Sequence, residues 1–134
     1  MKQVNTTRIG RKWEIYAHQN LFPGSVLVTN IDRNAHFDLK HGEATINVKA
    51  GKLVSKKHGK YFNFLFRTGR GCCDYFCLVG YRKQRDKKPV KVWLIPSDLV
   101  AGRNYLTIGP NHAGTWKEFE MSDRGENIEN GSDN

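Results

Sequence analysis

The sequence predicts an α+β domain in which an N-terminal helix precedes a mixed, mostly antiparallel sheet. Apolar residues recur at helical spacing only near the start of the chain, over residues 8–21. Short apolar and β-branched runs, separated by turn residues, then follow as far as Ile108. The 134 residues contain no internal repeat and are enough for one domain rather than two.

A helix is predicted over residues 8–21, with Thr6 or Thr7 as its N-cap and a turn at Pro23-Gly24 after its end. At 100° per residue, Glu14 falls at the edge of the apolar face rather than opposite to it. The residues that form this face are Ile9, Trp13, Tyr16, Ala17 and Leu21.

A strand over residues 25–31 and a hairpin over residues 36–49 are predicted next, the hairpin with a tight turn at His41-Gly42. Asp38 lies on the first arm of this hairpin. Asn47 and Lys49 lie on the second arm and share one face, because side chains alternate along a strand. Ile46 and Val48 then anchor the opposite face.

The rest of the chain predicts a basic loop and four further strands. The loop covers residues 51–60, and a helical turn capped by Ser97 covers residues 97–100. Trp116 and Phe119 are expected to pack against the body. We expect one domain over residues 1–117 and a disordered acidic tail over residues 118–134. The four strands are predicted at residues 61–66, 73–80, 90–95 and 105–108.

The charge of the chain is +9 and is unevenly distributed. Residues 118–134 contain six acidic residues and one basic residue, so the preceding residues hold 21 basic against seven acidic ones. Such a basic body predicts a polyanionic partner, and nucleic acid is the usual one. A solvated basic edge is the alternative. The residues expected to contact phosphates are Lys52, Lys56, Lys57, Lys60, Arg67, Arg70, Arg82, Lys83 and Arg85.

Targeting and cysteine patterns favour an intracellular, cytoplasmic protein, in the nucleoid or in a phage-infected cell. No run approaches the ~20 apolar residues of a membrane span, and the start carries no secretory signal. The chain is therefore not expected to enter a membrane. Cys72, Cys73 and Cys77, with His58, lack the paired spacing of a zinc site and favour buried thiols.

The hairpin brings together the residue types that phosphodiester hydrolysis requires. Carboxylate and backbone oxygens hold divalent cations, and a lysine steadies the charge on the reacting phosphate. Asp38 on one arm and Asn47-Val48-Lys49 on the next have suitable spacing, and Glu14 adds a carboxylate from the helix.

In this order of elements, the chain resembles the PD-(D/E)xK nuclease superfamily, whose core is α/β/α-like. The resemblance covers about residues 8–96 and is supported by the strands at residues 73–80 and 92–96. It is closest in type to compact homing and restriction endonucleases. The resemblance implies an Mg²⁺-dependent endodeoxyribonuclease, with Mn²⁺ as a substitute, that acts on double-stranded DNA as a homodimer or higher homo-oligomer.

The resemblance also implies a role for each residue. Asp38 is the central metal ligand, Glu14 orients a metal-bound water, and the carbonyl of Val48 completes the metal shell. Lys49 acts on the nucleophilic water or on the scissile phosphate. Asn47 occupies the position where the superfamily usually has Glu or Asp, and as a neutral amide it is a weaker ligand.

Three explanations of Asn47 stand. The branch tolerates an amide, the chain has lost catalysis while retaining DNA binding, or the residue was changed deliberately from aspartate. The second explanation defines the alternative function, a non-catalytic DNA-binding module on a degenerate nuclease fold. An RNA-binding module is less favoured, because the aromatic residues at 61–66 do not match an RNA-recognition strand.

Overall fold

The computed structural model describes residues 2–28, 37–57, 59–66, 73–109 and 116–121. One long helix precedes a mostly antiparallel sheet, which confirms the predicted α+β class. The helix α1 is Lys2–Tyr16, and the strands are β1 (Val26–Leu27), β2 (Leu39–His41), β3 (Ala44–Lys56), β4 (Gly59–Leu65), β5 (Tyr75–Tyr81), β6 (Lys91–Pro96) and β7 (Tyr105–Ile108).

The helix begins earlier and ends earlier than its apolar face predicts. It starts at Lys2, so Thr6 and Thr7 lie inside it and the predicted N-caps are wrong. After Tyr16 the chain continues as one turn of π-helix over Ala17–Leu21. The Phe22 N–H closes this turn by donating to the Ala17 carbonyl at 2.8 Å. No proline or glycine interrupts residues 2–9, so the helical backbone continues through this stretch.

The first strands are shorter than predicted. Strand β1 has only two residues, and residues 29–36, to which the prediction extended, lie outside the described part. Asp38 precedes β2 instead of lying on it. The turn between β2 and β3 is centred one residue later than predicted, since His41 pairs with Ala44. Gly42 there has φ +64°, which a glycine adopts without strain.

The predicted basic loop over residues 51–60 is wrong. Strand β3 continues through thirteen residues to Lys56, and β4 begins at Gly59. The two strands form a tight hairpin with Leu53 opposite Phe62 and Lys56 opposite Gly59. Lysines do not prevent strand pairing where their side chains reach solvent, so the charge pattern was a poor guide to the backbone here.

Strand β3 organises the sheet. It pairs antiparallel with β2 and β4, and parallel with β5 over residues 46–52. Strand β6 pairs antiparallel with β5, and β7 pairs antiparallel with β4. The β3–β5 pair is the parallel one among the described strands, so the sheet is mixed as expected.

Two apolar clusters lie on opposite faces of the sheet. Helix α1 covers one face, where Trp13 and Ala17 are fully buried against Ile46, Val48 and Cys77. Strands β4 and β7 cover the other face. Within the described residues, strands therefore form this outer layer, where an α/β/α-like core would have a second helix. This second cluster consists mainly of Phe62, Phe64, Phe66, Phe76, Leu78, Trp93, Ile95, Leu106 and Ile108.

A pair of glycines admits the aromatic rings of β4. Gly51 and Gly80 are register partners on β3 and β5. A Cβ atom on Gly80 would lie 2.8 Å from the Phe62 ring, and one on Gly51 would lie 2.9 Å from the Phe64 ring. The rings therefore rest directly on the backbone of the sheet, which any side chain at these two positions would prevent.

The end of the described chain packs onto β6. Residues 97–100 form one 3₁₀ turn, but Ser97 does not cap it. Its hydroxyl instead donates to the Cys73 carbonyl at 2.6 Å. Trp116 and Phe119 pack against the aromatic cluster as predicted. The Met121 N–H donates to the Val92 carbonyl at 2.7 Å, so the body reaches at least this residue.

Candidate functional site

Beyond the last β2–β3 pair, the carboxylate of Asp38 accepts a backbone hydrogen bond from β3. The Asp38 N–H donates to the Ile46 carbonyl at 2.8 Å, although the register partner of Ile46 is Leu39. This irregularity, typical of a bulge, lets the side chain turn toward β3. Its Oδ2 accepts the Val48 N–H at 2.7 Å, at the level where β3 is no longer paired with β2.

Glu14 meets Asp38 from the helix. Burial of Trp13 and Ala17 fixes α1 on the sheet, and Glu14 is between them in sequence at the edge of the buried face, with 19% of its side chain exposed. The carboxyl groups of Glu14 and Asp38 are hydrogen-bonded to each other. Arg11, one helical turn earlier, lies 3.7 Å from the Glu14 carboxylate.

The pKa values of both carboxyl groups are raised above their usual values. Burial, the nearby Asp38 charge and the hydrogen bond to Asp38 raise the pKa of Glu14 to about 7, against the opposing effect of Arg11 and Lys49. Burial also raises the pKa of Asp38, while the Val48 N–H, Lys49 and the hydrogen bond from Glu14 lower it. The hydrogen bond between the two groups thus acts in opposite directions on their pKa values, as expected when Glu14 donates and Asp38 accepts.

Lys49 is close enough to act on both carboxyl groups. Its positive charge favours the ionised form of each, so it lowers the pKa of Glu14 and of Asp38. The lysine is half-buried on β3, level with Leu78 of β5. The structure thus brings Glu14, Asp38 and Lys49 into one electrostatic cluster.

Asn47 is buried, with 8% of its surface exposed, beside Phe76 on β5. Among the described residues, no three His, Cys, Asp or Glu side chains form a group that could hold a metal ion. Glu14 and Asp38 supply two carboxylates, and in the resemblance Asn47 occupies the sequence position of a third.

The carbonyl of Val48 faces the same edge of β3 as its N–H, because both groups of a residue point toward one side of a strand. A groove of about 270 Å³ opens beside it between α1 and β3. Its walls are Ile9, Gly10, Val48, Lys49, Ala50 and Tyr81. The groove gives a ligand access to the backbone of β3 next to Lys49.

The donor set fits a hard divalent cation. Two carboxylates, a backbone carbonyl and an amide are all oxygen donors of the kind that Mg²⁺ and Mn²⁺ accept. Asp38, Glu14, Val48 and Asn47 are the residues that would hold the cation.

The basic residues lie at two places near this site. Four lysines at positions 52, 56, 57 and 60 are exposed along the β3–β4 hairpin, and Arg82, Lys83 and Arg85 are exposed in the turn after β5. Asp86 stabilises that turn by accepting the N–H groups of Arg82 and Lys83 at 2.8 and 3.0 Å. Arg67 and Arg70 lie outside the described residues.

The cysteines contribute to packing. Cys77 is fully buried on β5, and burial together with the nearby Asp38 charge raises the pKa of its thiol to about 12. Cys73 is buried before β5. Both match the prediction of buried thiols, while Cys72 and His58 lie outside the described residues.

Three residues that border the site were not predicted from the sequence. Arg11 could have been found from its i,i+3 spacing to Glu14. Gly10 lines the groove and leaves open space where a Cβ would lie, which no sequence signal reveals. Tyr81 stacks on Trp13 with ring centroids 5.7 Å apart and forms the far wall, a contact between distant parts of the chain.

No model of a known protein family matches the sequence, and no curated protein is detectably similar to it. None of the described helical segments has the length and apolar character needed to cross a membrane.

Proposed function

We propose that this protein is a metal-dependent endonuclease that hydrolyses phosphodiester bonds in duplex DNA, on a PD-(D/E)xK-like arrangement of elements. The observation that carries the proposal is the cluster of Glu14, Asp38 and Lys49 where β3 has left β2. Two hydrogen-bonded carboxyls beside a lysine, next to an open groove, are an uncommon feature in a structural core. The basic hairpin and turn nearby suit a polyanionic substrate.

A bound divalent cation would polarise the phosphate and activate a water molecule. In hydrolysis, the water oxygen forms a bond to phosphorus while the bond to the leaving sugar oxygen breaks. Asp38 holds the cation site in place, since Val48 fixes its carboxylate at 2.7 Å. Glu14 must release its proton to serve as a ligand, and Lys49 balances the negative charge that develops on the phosphate.

The test is a plasmid-nicking assay with Mg²⁺ or Mn²⁺. We expect Lys49→Ala to lower the nicking rate by about 10²- to 10⁴-fold, and Asp38→Ala to abolish nicking. Glu43→Ala, which removes an exposed carboxylate in the β2–β3 turn, is the matched control and should nick at the parent rate. Equal rates for Asp38→Ala and the parent protein would overturn the site.

Asn47 sharpens the same assay. Asn47→Asp adds a third carboxylate at nearly constant volume, so we expect nicking at a lower Mg²⁺ concentration than the parent requires. Asn47→Glu tests the longer side chain found at this position in many nucleases. If the parent and both variants fail to cut, the chain is not a nuclease.

A second function is favoured by one observation: Asn47, at the position where the superfamily usually has an acidic residue, is a buried neutral amide. A non-catalytic DNA-binding module would bind duplex DNA with a steep dependence on salt and would ignore divalent cations. Calorimetric titration with Mn²⁺ separates the two functions, because only the nuclease binds the metal in the absence of DNA.

We also propose that the protein acts as a homo-oligomer. Cutting both strands of a duplex usually requires two active sites, and a twofold dimer would place them on a pseudo-palindromic sequence. Sedimentation of the protein with and without duplex DNA measures this directly.

A further inference from the structure

The hairpin of β3 and β4 has a well-anchored root and a solvated tip. At the root, Phe62 is fully buried and Leu53, its register partner, packs against the aromatic cluster. Toward the tip, the described residues Ser55, Lys56, Lys57, Gly59 and Lys60 are all exposed. A strand lying on the body would alternate between buried and exposed residues, so the tip projects from the body as a two-stranded arm.

The projecting arm is basic and lacks apolar side chains at its tip. Three of its five exposed, described residues are lysines. An open concavity of about 400 Å³ lies among Lys56, Lys57, Gly59, Lys60 and Tyr61. An apolar tip would indicate a protein-binding edge, whereas this concentration of positive charge on a narrow support indicates a phosphate-rich partner.

The arm and the candidate site lie on the same strand. Lys49 and Lys56 are separated by seven residues of β3, which at about 3.3 Å per residue corresponds to at most about 23 Å, because β3 turns from its pairing with β5 to its pairing with β4 between them. Exposed Lys52 lies between them. Along duplex DNA the same distance spans about seven base pairs at 3.4 Å each. One straight duplex can therefore contact both the site and the arm.

We propose that the β3–β4 arm enters the major groove of the duplex within about seven base pairs of the phosphate held at the candidate site. The major groove is about 12 Å wide and admits a two-stranded β-ribbon, whereas the minor groove is about half as wide. Lys56 and Lys60, on opposite strands of the ribbon, then reach the two phosphate backbones that flank the groove. This inference rests on the proposed duplex DNA partner but not on cleavage.

The experiment measures binding to a short mixed-sequence duplex by fluorescence anisotropy, in EDTA so that no cutting occurs. A second duplex of the same sequence carries glucosylated hydroxymethylcytosine, which fills the major groove. The variant is Lys56→Ala with Lys60→Ala. The control, Lys87→Ala with Lys117→Ala, removes the same charge at exposed positions elsewhere. Thermal unfolding confirms that both variants fold.

We expect the parent and the control variant to bind the glucosylated duplex about tenfold more weakly than the plain duplex. The arm variant should bind both duplexes equally. It should also lose about 1.8 from the slope of log K against log salt, as two phosphate contacts disappear.

The outcomes separate the two proposals. If the parent protein discriminates between the duplexes and the arm variant does so equally well, the arm is not the groove reader, although the nuclease proposal stands. A parent that binds both duplexes equally overturns the groove assignment in the same way. A parent that binds neither duplex overturns the DNA partner itself, and with it the proposed function.

Discussion

The two faces of the sheet differ in the kind of side chain that covers them. The face under β4 and β7 is filled by aromatic and aliphatic side chains, and Phe62 and Phe64 press against bare glycine backbone. The face under α1 also has an apolar centre, but two hydrogen-bonded carboxyl groups with raised pKa values lie at its edge. The first face gains stability from close packing. The second face is less stable at its edge, because the carboxyl groups of Glu14 and Asp38 are partly buried there.

This difference indicates that the candidate site belongs to the face under α1. A carboxyl group is ionised without cost at the surface, and holding Glu14 partly buried beside Asp38 is unfavourable for the fold alone. A functional site accounts for such a cost, whereas the aromatic face needs no further explanation. Four predictions test the comparison, in order of decreasing effect.

The largest effect is expected from the aromatic face. Phe62→Ala removes a fully buried ring that contacts Trp93, with ring centroids 5.8 Å apart. We expect a loss of about 3–5 kcal/mol in the free energy of unfolding, measured by urea denaturation. Leu65→Ala on the same strand is the control, since Leu65 is 48% exposed and should change stability little. Similar losses for the two variants would contradict the assignment of this core.

A matched pair of glycine substitutions compares the two faces directly. Gly80→Ala places a Cβ 2.8 Å from the Phe62 ring and should cost about 1–3 kcal/mol. Gly10→Ala on α1 meets no atom within 4 Å and should stabilise the helix by about 0.5–1 kcal/mol. Thermal unfolding should therefore show a loss of stability for Gly80→Ala and a gain for Gly10→Ala. A loss at both positions would show that the helix face is as crowded as the other.

The carboxyl pair predicts an unusual dependence of stability on pH. Because the pKa of Glu14 rises from 4.5 to about 7 in the folded protein, folding favours its protonated form. Its contribution to stability is complete below pH 4.5 and is lost as the pH rises through about 7. Glu14→Gln cannot ionise, so it should exceed the parent by about 1–2 kcal/mol at alkaline pH, after allowance for solvent screening.

At acidic pH the advantage of Glu14→Gln should vanish, since Glu14 is protonated in both states there. Glu43→Gln, in the exposed turn after β2, controls for the loss of one carboxylate. Parallel stability curves for the parent and Glu14→Gln across this pH range would refute the raised pKa of Glu14.

The smallest effect is expected at Ser97. Its hydroxyl donates to the Cys73 carbonyl at 2.6 Å and joins the starts of β5 and the 3₁₀ turn. Ser97→Ala leaves that buried carbonyl with one acceptor site unused, at a cost of about 1 kcal/mol by chemical denaturation. Thr107→Ala, which removes an exposed hydrogen bond to Asn63, should cost less. A larger loss for Thr107→Ala would show that β7 is more important than the Ser97 contact.

Local pattern predicted the element types wherever one face of an element is buried. The apolar face around Trp13 and the continuous apolar run of β5 both identified their elements, because burial imposes a period that sequence displays directly. The failures occurred where burial does not act. The described residues at positions 52, 55–57, 59 and 60 are exposed and four of them are lysines, so pairing between two backbones, invisible in composition, decided that they form a hairpin.

The sequence by itself determined the residue types of the candidate site and their placement on neighbouring elements. Asp38, Lys49 and Glu14 were proposed from spacing alone, since the helical and strand periods relate residues within each segment. Only the tertiary structure decided that Glu14 is hydrogen-bonded to Asp38, that the Val48 N–H donates to the Asp38 carboxylate, and that Arg11 and Tyr81 border the site. These contacts join residues from different elements, and their distances depend on how the helix packs and where β2 leaves β3, which no local period specifies.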